Sequence, residues 1–234
     1  MTCGPSSAGP ALAAVLLDMD GTLVDTEPYW IAAEYALVES FGGTWTDAHA
    51  HAIVGAALLT AAAYIREHGG VPLQPPEIVE RLLDDVVRAA EQAVPWRPGG
   101  VALLSELAER EVPCALVTMS YERLARTVTR RLHAGAFATV VTGDQVRDGK
   151  PHPEPYLLAA ARLGVDASSC VAIEDSPTGI ASAEAAGCLV VAVPHHVAIP
   201  AAPGRILVES LSELSVERLE AMMRARTAAT PVQP

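Results

Sequence analysis

The chain has 234 residues, half of them apolar and only 4% aromatic, and its 16 basic against 28 acidic residues give a formal charge of −12. That length suits one domain carrying an insertion and excludes a large multidomain protein, while the apolar share excludes a chain that is mainly disordered. The negative balance opposes general attraction to nucleic-acid backbones or anionic membranes, and so few aromatic rings leave no platform for stacking bases.

The opening MTCGPSSAGP lacks the basic-then-apolar pattern of a signal peptide, and no apolar stretch reaches the roughly 18 residues of a membrane span, so a cytoplasmic protein is expected. From Ala11, ALAAVLLDMDG is a continuous apolar run ending in two carboxylates and a glycine, the pattern of a buried parallel strand that meets a functional loop. Between Trp30 and about Val94 every periodic segment is helical: IAAEYALVESFGG, AALLTAAAYIREHGG and PPEIVERLLDDVVRAAEQAV. The cluster PWRPGG closes this block, which predicts an inserted helical cap over residues 27–97 and a core made of residues 1–26 and 98–234. Strand patterns then resume as CALVTM, TVVTGD, CVAIED, LVVAVP and the weaker ILVES, separated by helical patterns such as YERLARTVTRRL and PEPYLLAAARLG. Such alternation predicts an α/β fold, a Rossmann-like parallel sheet covered by helices on both faces. Cys114, Cys170 and Cys188 lie within apolar runs without CxxC spacing and are expected to be buried thiols. The closing RTAATPVQP is expected to fray.

Open parallel sheets bind ligands at the carboxyl ends of their strands, so the polar residues that end the apolar runs are the informative ones. They are Asp18 and Asp20, Thr118 and Ser120, and Glu174 and Asp175, with Lys150 in the loop GKPHPEP after the Thr139 run. Taken singly, each has a plainer explanation: a turn-capping aspartate, a structural hydroxyl, a solvated lysine. Together they would crowd four carboxylates at one edge, and such a cluster needs a cation. Oxygen ligands select Mg²⁺, which is usually held by one or two carboxylates together with a substrate phosphate. A phosphate also suits Lys150 and the amides of Met119 and Ser120, where a strand turns into a helix.

These residues resemble the haloacid dehalogenase superfamily of aspartate-dependent phosphohydrolases and phosphotransferases. DMDGTLVDTE is similar to its first motif, LVTMS to its second, the lysine of GKPHPEP to its third and IEDSPTGI to its fourth, in order and across nearly the whole core. The helical insertion resembles the cap of the subgroup that contains β-phosphoglucomutase and small sugar phosphatases. The resemblance implies that Asp18 is the nucleophile and that Asp20 protonates the leaving alkoxide and then activates water. It implies Mg²⁺ held by Asp18, Asp20 through its main-chain carbonyl, and Asp175, with Glu174 a ligand or a support. Thr118, the amides of Met119 and Ser120, and Lys150 would bind the phosphoryl oxygens. Gly21 fits the sharp turn after the carboxylates, Thr22 braces that loop, and Gly179 stands where some relatives carry another acidic residue.

Other conspicuous residues receive plainer roles. His152 is expected to hold its proline-rich loop, His49, His51 and His68 to lie on the surface, and His195 and His196 to be peripheral. Tyr29, Trp30 and Trp45 are expected either to cover the site or to form the core of the cap. The linkers near Thr26 and Pro98 are natural hinges for a moving cap.

Within the superfamily, the second aspartate argues against a dehalogenase, and the absence of lysine from Glu27 to Val94 removes a Schiff-base phosphonatase. Trp30 stands where mutases of the subgroup are expected to carry a histidine, and the early cap loop IVGAALLTAAA has no basic residue. The expectation is a Mg²⁺-dependent phosphatase acting on a small phosphorylated substrate, a sugar phosphate or similar phosphomonoester, through an aspartyl phosphate. No nucleic-acid, membrane or obligate protein partner is expected. A β-phosphoglucomutase-like phosphomutase and a non-catalytic phosphate-binding regulator are the alternatives.

Overall fold

Every apolar run forms a strand in the computed structural model, which describes residues 12–229. The strands are β1 (Ala14–Leu17), β2 (Cys114–Val117), β3 (Thr139–Val141), β4 (Cys170–Glu174), β5 (Leu189–Ala192) and β6 (Arg205–Leu207). They make one sheet in the order β3-β2-β1-β4-β5-β6, with all neighbours parallel. The chain builds outward from β1 through β2 and β3, then returns to the other side of β1 for β4. Ligands bind where strand order reverses in this way, beyond the carboxyl end of β1.

Five helices lie between β1 and β2, and the first four pack on one another: α1 (Glu27–Ser40), α2 (Asp47–Ile53), α3 (Leu58–His68) and α4 (Pro75–Gln92). Leu37, Val38, Ile65, Ile78, Leu82 and Val86 fill the space among them. The short α2 was not legible in the sequence, because DAHAHAI has no apolar stripe; the Thr46 hydroxyl caps it by accepting from the His49 amide at 3.4 Å. The two linkers run side by side, with Asp25 N–H on the Pro95 carbonyl and Arg97 N–H on the Leu23 carbonyl, each at 2.9 Å.

The remaining helices are α5 (Gly100–Glu109), α6 (Glu122–Thr129), α7 (Glu154–Leu163), α8 (Pro177–Ala185) and α9 (Val216–Ala229). Successive strand residues point to opposite faces of the sheet. Val15, Leu17, Leu116, Ile173 and Val191 pack with Leu104 and Leu107 of α5 and Leu219 of α9. Ala14, Leu16, Ala115, Ala172 and Val190 pack with Tyr156 and Ala159 of α7 and Ile180 and Ala183 of α8, where alanines let the helices approach closely. α9 has no counterpart among the helical patterns described above, and the first residues of RTAATPVQP belong to it instead of fraying. The last five residues and the opening segment, Cys3 and Ala11 included, lie outside the described residues. Cys114, Cys170 and Cys188 are buried free thiols, and burial holds their pKa values above the ordinary thiol range.

Leu16 sits at the centre of the sheet, fully buried between β2 and β4. Leu16→Ala is expected to lower the unfolding free energy by about 2–5 kcal/mol. Urea denaturation would measure it, and a loss under about 1 kcal/mol would contradict the close packing of this face.

Candidate active site

Strand register brings the polar residues together. Leu17 pairs with Leu116 on one side and Ile173 on the other, so Asp18, Val117 and Glu174 stand level at the edge of the sheet. Lys150, from the loop before α7, reaches into this row. Its ammonium donates to Asp18 Oδ1 at 2.6 Å, to Glu174 Oε1 at 2.6 Å and to the Val117 carbonyl at 2.9 Å, which uses all three of its N–H bonds. The ammonium also lies 5.2 Å from the centre of the Tyr156 ring. Burial opposes the charge of Lys150, but Asp18 and then Glu174 outweigh it and raise its pKa.

Glu174 is satisfied on both oxygens. Its Oε1 takes the Tyr156 hydroxyl at 2.7 Å as well as Lys150, and its Oε2 takes the Asp175 and Ser176 amides and the Ser176 hydroxyl at 3.2–3.4 Å. These contacts tie Glu174 to Lys150, Tyr156 and the start of α8. Gly179 permits the arrangement, since a Cβ there would lie 1.8 Å from Glu174 Oε1. Tyr156 was missed in the sequence, where a tyrosine in a helical stripe reads as core.

Asp20 is oriented by two threonines. Thr26 donates to its Oδ1 at 2.5 Å and Thr118 to its Oδ2 at 3.0 Å, while Thr118 accepts the Ser120 amide at 3.0 Å. The Thr118 hydroxyl and the Ser120 amide, both expected to face phosphate, are thus engaged with Asp20 and with each other. Met119 contributes its sulfur, which accepts the Lys150 amide at 3.2 Å. Beyond its place in the linker, Thr26 thus orients Asp20, a contact that six residues of separation do not announce.

Asp175 sits against the loop after β1. Thr22 donates to its Oδ1 at 3.1 Å, and Gly21, at φ +83°, leaves room for it: a Cβ there would lie 2.0 Å from Asp175 Oδ2. Arg97 of the second linker ties the same loop down by donating to the Gly21 carbonyl, with longer contacts to Val193 and Pro194. Within PWRPGG nothing local marks Arg97 for this contact.

Burial, then Glu174, raise the Asp18 pKa well above the carboxylate range against the pull of Lys150. Burial and Glu174 likewise push Asp175 up to about 7, opposed by Thr22, Lys150 and Arg97. Asp18 Oδ2 is buried with no hydrogen-bond partner, and an oxygen from each of Asp18, Glu174 and Asp175 lies within 4.8 Å of the others. Hard oxygen donors short of positive charge fit a divalent cation such as Mg²⁺.

A cavity of about 400 Å³ opens onto this edge. Asp18, Asp20, Lys150 and Asp175 line it together with Glu27, Trp30 and Glu34 of α1 and the apolar Ile53, Ala56 and Leu58. Trp30 therefore covers the site, whereas Trp45 is insertion core, 5% exposed, and Tyr29 bonds the Ala93 carbonyl. His196 lines the cavity and shares Asp25 with His195, at 2.9 and 3.2 Å. His152 accepts the Glu154 amide within its loop. His49 is half-buried, stacked against Trp45 and His68.

A parallel sheet with an aspartate pair after β1, a hydroxyl after β2, a buried lysine and an acidic pair after β4 defines a class of hydrolase, and comparison with known proteins agrees. The family model for haloacid dehalogenase-like hydrolases matches residues 12–187, and the chain belongs to that family. It is 33% identical over 175 residues to a phosphorylated carbohydrates phosphatase of Thermotoga maritima, covering 74% of this chain and 81% of that one. It is 32% identical over 185 residues to hexitol phosphatase A of Escherichia coli, covering 76% and 81%. Among solved structures, CbbY from Rhodobacter sphaeroides in complex with phosphate superposes with a TM-score of 0.78 at 25% identity, over 86% of this chain and 96% of that one.

Lys150→Met would leave Asp18 and Glu174 buried without their cation and is expected to cost about 3–5 kcal/mol of stability in urea denaturation. A second expectation concerns Glu34. Burial, then Glu27, against a hydrogen bond from Trp45, push its pKa from 4.5 up to about 7. The folded state thus holds a proton that the unfolded chain releases, and stability is lost as pH rises from about 4.5 through about 7. Glu34→Gln cannot ionise, so at pH 8 it should be more stable than the parent by on the order of 2 kcal/mol, with no such gain at acid pH. Thermal unfolding across pH would show this, and a gain independent of pH would contradict it.

Proposed function

We propose that the chain is a Mg²⁺-dependent phosphatase that hydrolyses a small phosphorylated metabolite, a sugar phosphate or similar phosphomonoester, through an aspartyl phosphate. The observation that carries this reading is the state of Asp18: Lys150 holds one oxygen while the other is buried, unpartnered and at the floor of a cavity. Asp18 attacks phosphorus, and Asp20, held by Thr26 and Thr118, delivers a proton to the departing oxygen. Asp20 then takes a proton from the water that opens the aspartyl phosphate. Lys150 and the loop from Thr118 to Ser120 face the phosphoryl oxygens, which requires the ammonium to share one of its present contacts with them.

Asp18, Asp175 and the main-chain carbonyl of Asp20 would hold the Mg²⁺, with Glu174 bracing Lys150 beside them. When bound, the ion supplies the positive charge that keeps nucleophile and phosphate together despite their repulsion. Residues 27–97 act as a cap on a core of 1–26 and 98–234, and the paired linkers serve as its hinge. Arg123 of α6 reaches Asp84 and Glu80 of α4 at 2.8 and 3.4 Å, exposed ion pairs weak enough to part. Hydrolysis is favoured over mutase chemistry because Lys150 is the only lysine or arginine lining the cavity among the described residues, which leaves no second phosphate site.

Phosphate release should require Mg²⁺, stop on chelation and return on re-addition. Asp18→Asn should lower kcat/KM by at least about a thousandfold with the fold intact by circular dichroism. Release that persists in this variant would exclude Asp18 as the nucleophile.

A further inference from the structure

Glu27, Trp30 and Glu34 stand at i, i+3 and i+7 of α1, and this one stripe of the helix lines the cavity that holds Asp18 and Lys150. Glu34 is only 6% exposed. Its Oε2 accepts from Trp45 Nε1 at 3.2 Å, and among the described residues its Oε1 has no hydrogen-bond partner. The neighbouring charge it feels is that of Glu27, also acidic. The same cavity is also lined by the apolar Ile53, Ala61 and Leu82. A buried carboxylate beside a cavity, with no cation and one oxygen without a hydrogen-bond partner, costs stability unless a ligand completes it.

We propose that Glu34 is a specificity-determining residue that accepts a hydrogen bond from the leaving group. The substrate is then a phosphomonoester whose organic part carries hydroxyl or ammonium donors and no second anionic group. The inference rests on the phosphatase reading and names its substrate class. Trp30 supplies an aromatic surface beside the carboxylate, suited to the C–H face of a polyol or sugar or to an ammonium. A second phosphate or a carboxylate on the leaving group would meet Glu27 and Glu34 with no lysine or arginine of the insertion lining the cavity, although His51 and His196 lie within reach of Glu27, and acidic walls reject such ligands. The volume of about 400 Å³ lies at the small end of the range for metabolite sites.

The test uses the full chain with Mg²⁺ and follows phosphate release from p-nitrophenyl phosphate, a hexitol phosphate, an amino-sugar phosphate, phosphoglycolate and a hexose bisphosphate. The parent protein should prefer the hexitol or amino-sugar ester to both anionic ones, a ranking that needs no variant. In Glu34→Leu, kcat/KM for the preferred ester relative to that for p-nitrophenyl phosphate should fall roughly tenfold or more, chiefly through KM. Glu34→Gln keeps an uncharged acceptor, so it should spare a hydroxyl donor and fail an ammonium, which separates the two sources. A parent preference for phosphoglycolate or the bisphosphate, or an unchanged ratio in Glu34→Leu, would overturn the inference while leaving the phosphatase intact. No release from any ester, p-nitrophenyl phosphate included, would overturn both.

Discussion

Three strand ends and one loop meet on a single ammonium group. Lys150 stands between Asp18 and Glu174, all three nearly fully buried, with side-chain exposures of 5%, 7% and 0%. Two carboxylates cannot share the dry end of a sheet without such a cation, and the cation could not be there without them. The ammonium therefore fixes how the Lys150 loop lies across the sheet, and with it the position of Met119, whose sulfur receives the Lys150 amide. Tyr156, Ser176 and the space left by Gly179 hold Glu174 so that it can perform this service.

The compensation is incomplete, and chemistry follows from the deficit. Lys150, joined at Asp175 by Arg97, does not balance three carboxylates, and burial with Glu174 still pushes Asp18 and Asp175 toward the proton-bound form. A site in that condition gains from any further positive charge of the right size. The hydrolase is thus poised for a divalent cation by the same burial that makes its apolar strands cohere.

The insertion and the core divide the remaining work. The sheet edge brings Asp18, Asp20, Lys150 and Asp175 to the cavity, while α1 adds a stripe that alternates acid, aromatic and acid across it. Between them the linkers pair with each other, and Arg97 fastens the loop of Gly21 to the residues after β5. Away from the linkers, Arg123 of α6 meets Glu80 and Asp84 of α4 through exposed ion pairs.

Apolar runs and their polar endings determined much of this protein from the sequence alone: six parallel strands, a helical insertion after the first, and Asp18, Asp20, Thr118, Lys150, Glu174 and Asp175 at one edge. Those features are local, since a buried strand must be continuously apolar and a strand end must announce where it stops. DAHAHAI of α2 has no such local signature, whereas α9 does carry one in the buried stripe Val216, Leu219 and Met223. Only the tertiary structure decided which donor each polar atom would receive. It gave Glu174 to Lys150 and Tyr156, the Thr118 hydroxyl to Asp20, and Arg97 to the Gly21 carbonyl, and it left Glu34 with one open oxygen. Partners such as Thr22 and Asp175, 153 residues apart, are chosen by strand register and loop closure, and spacing along the chain carries no record of that choice.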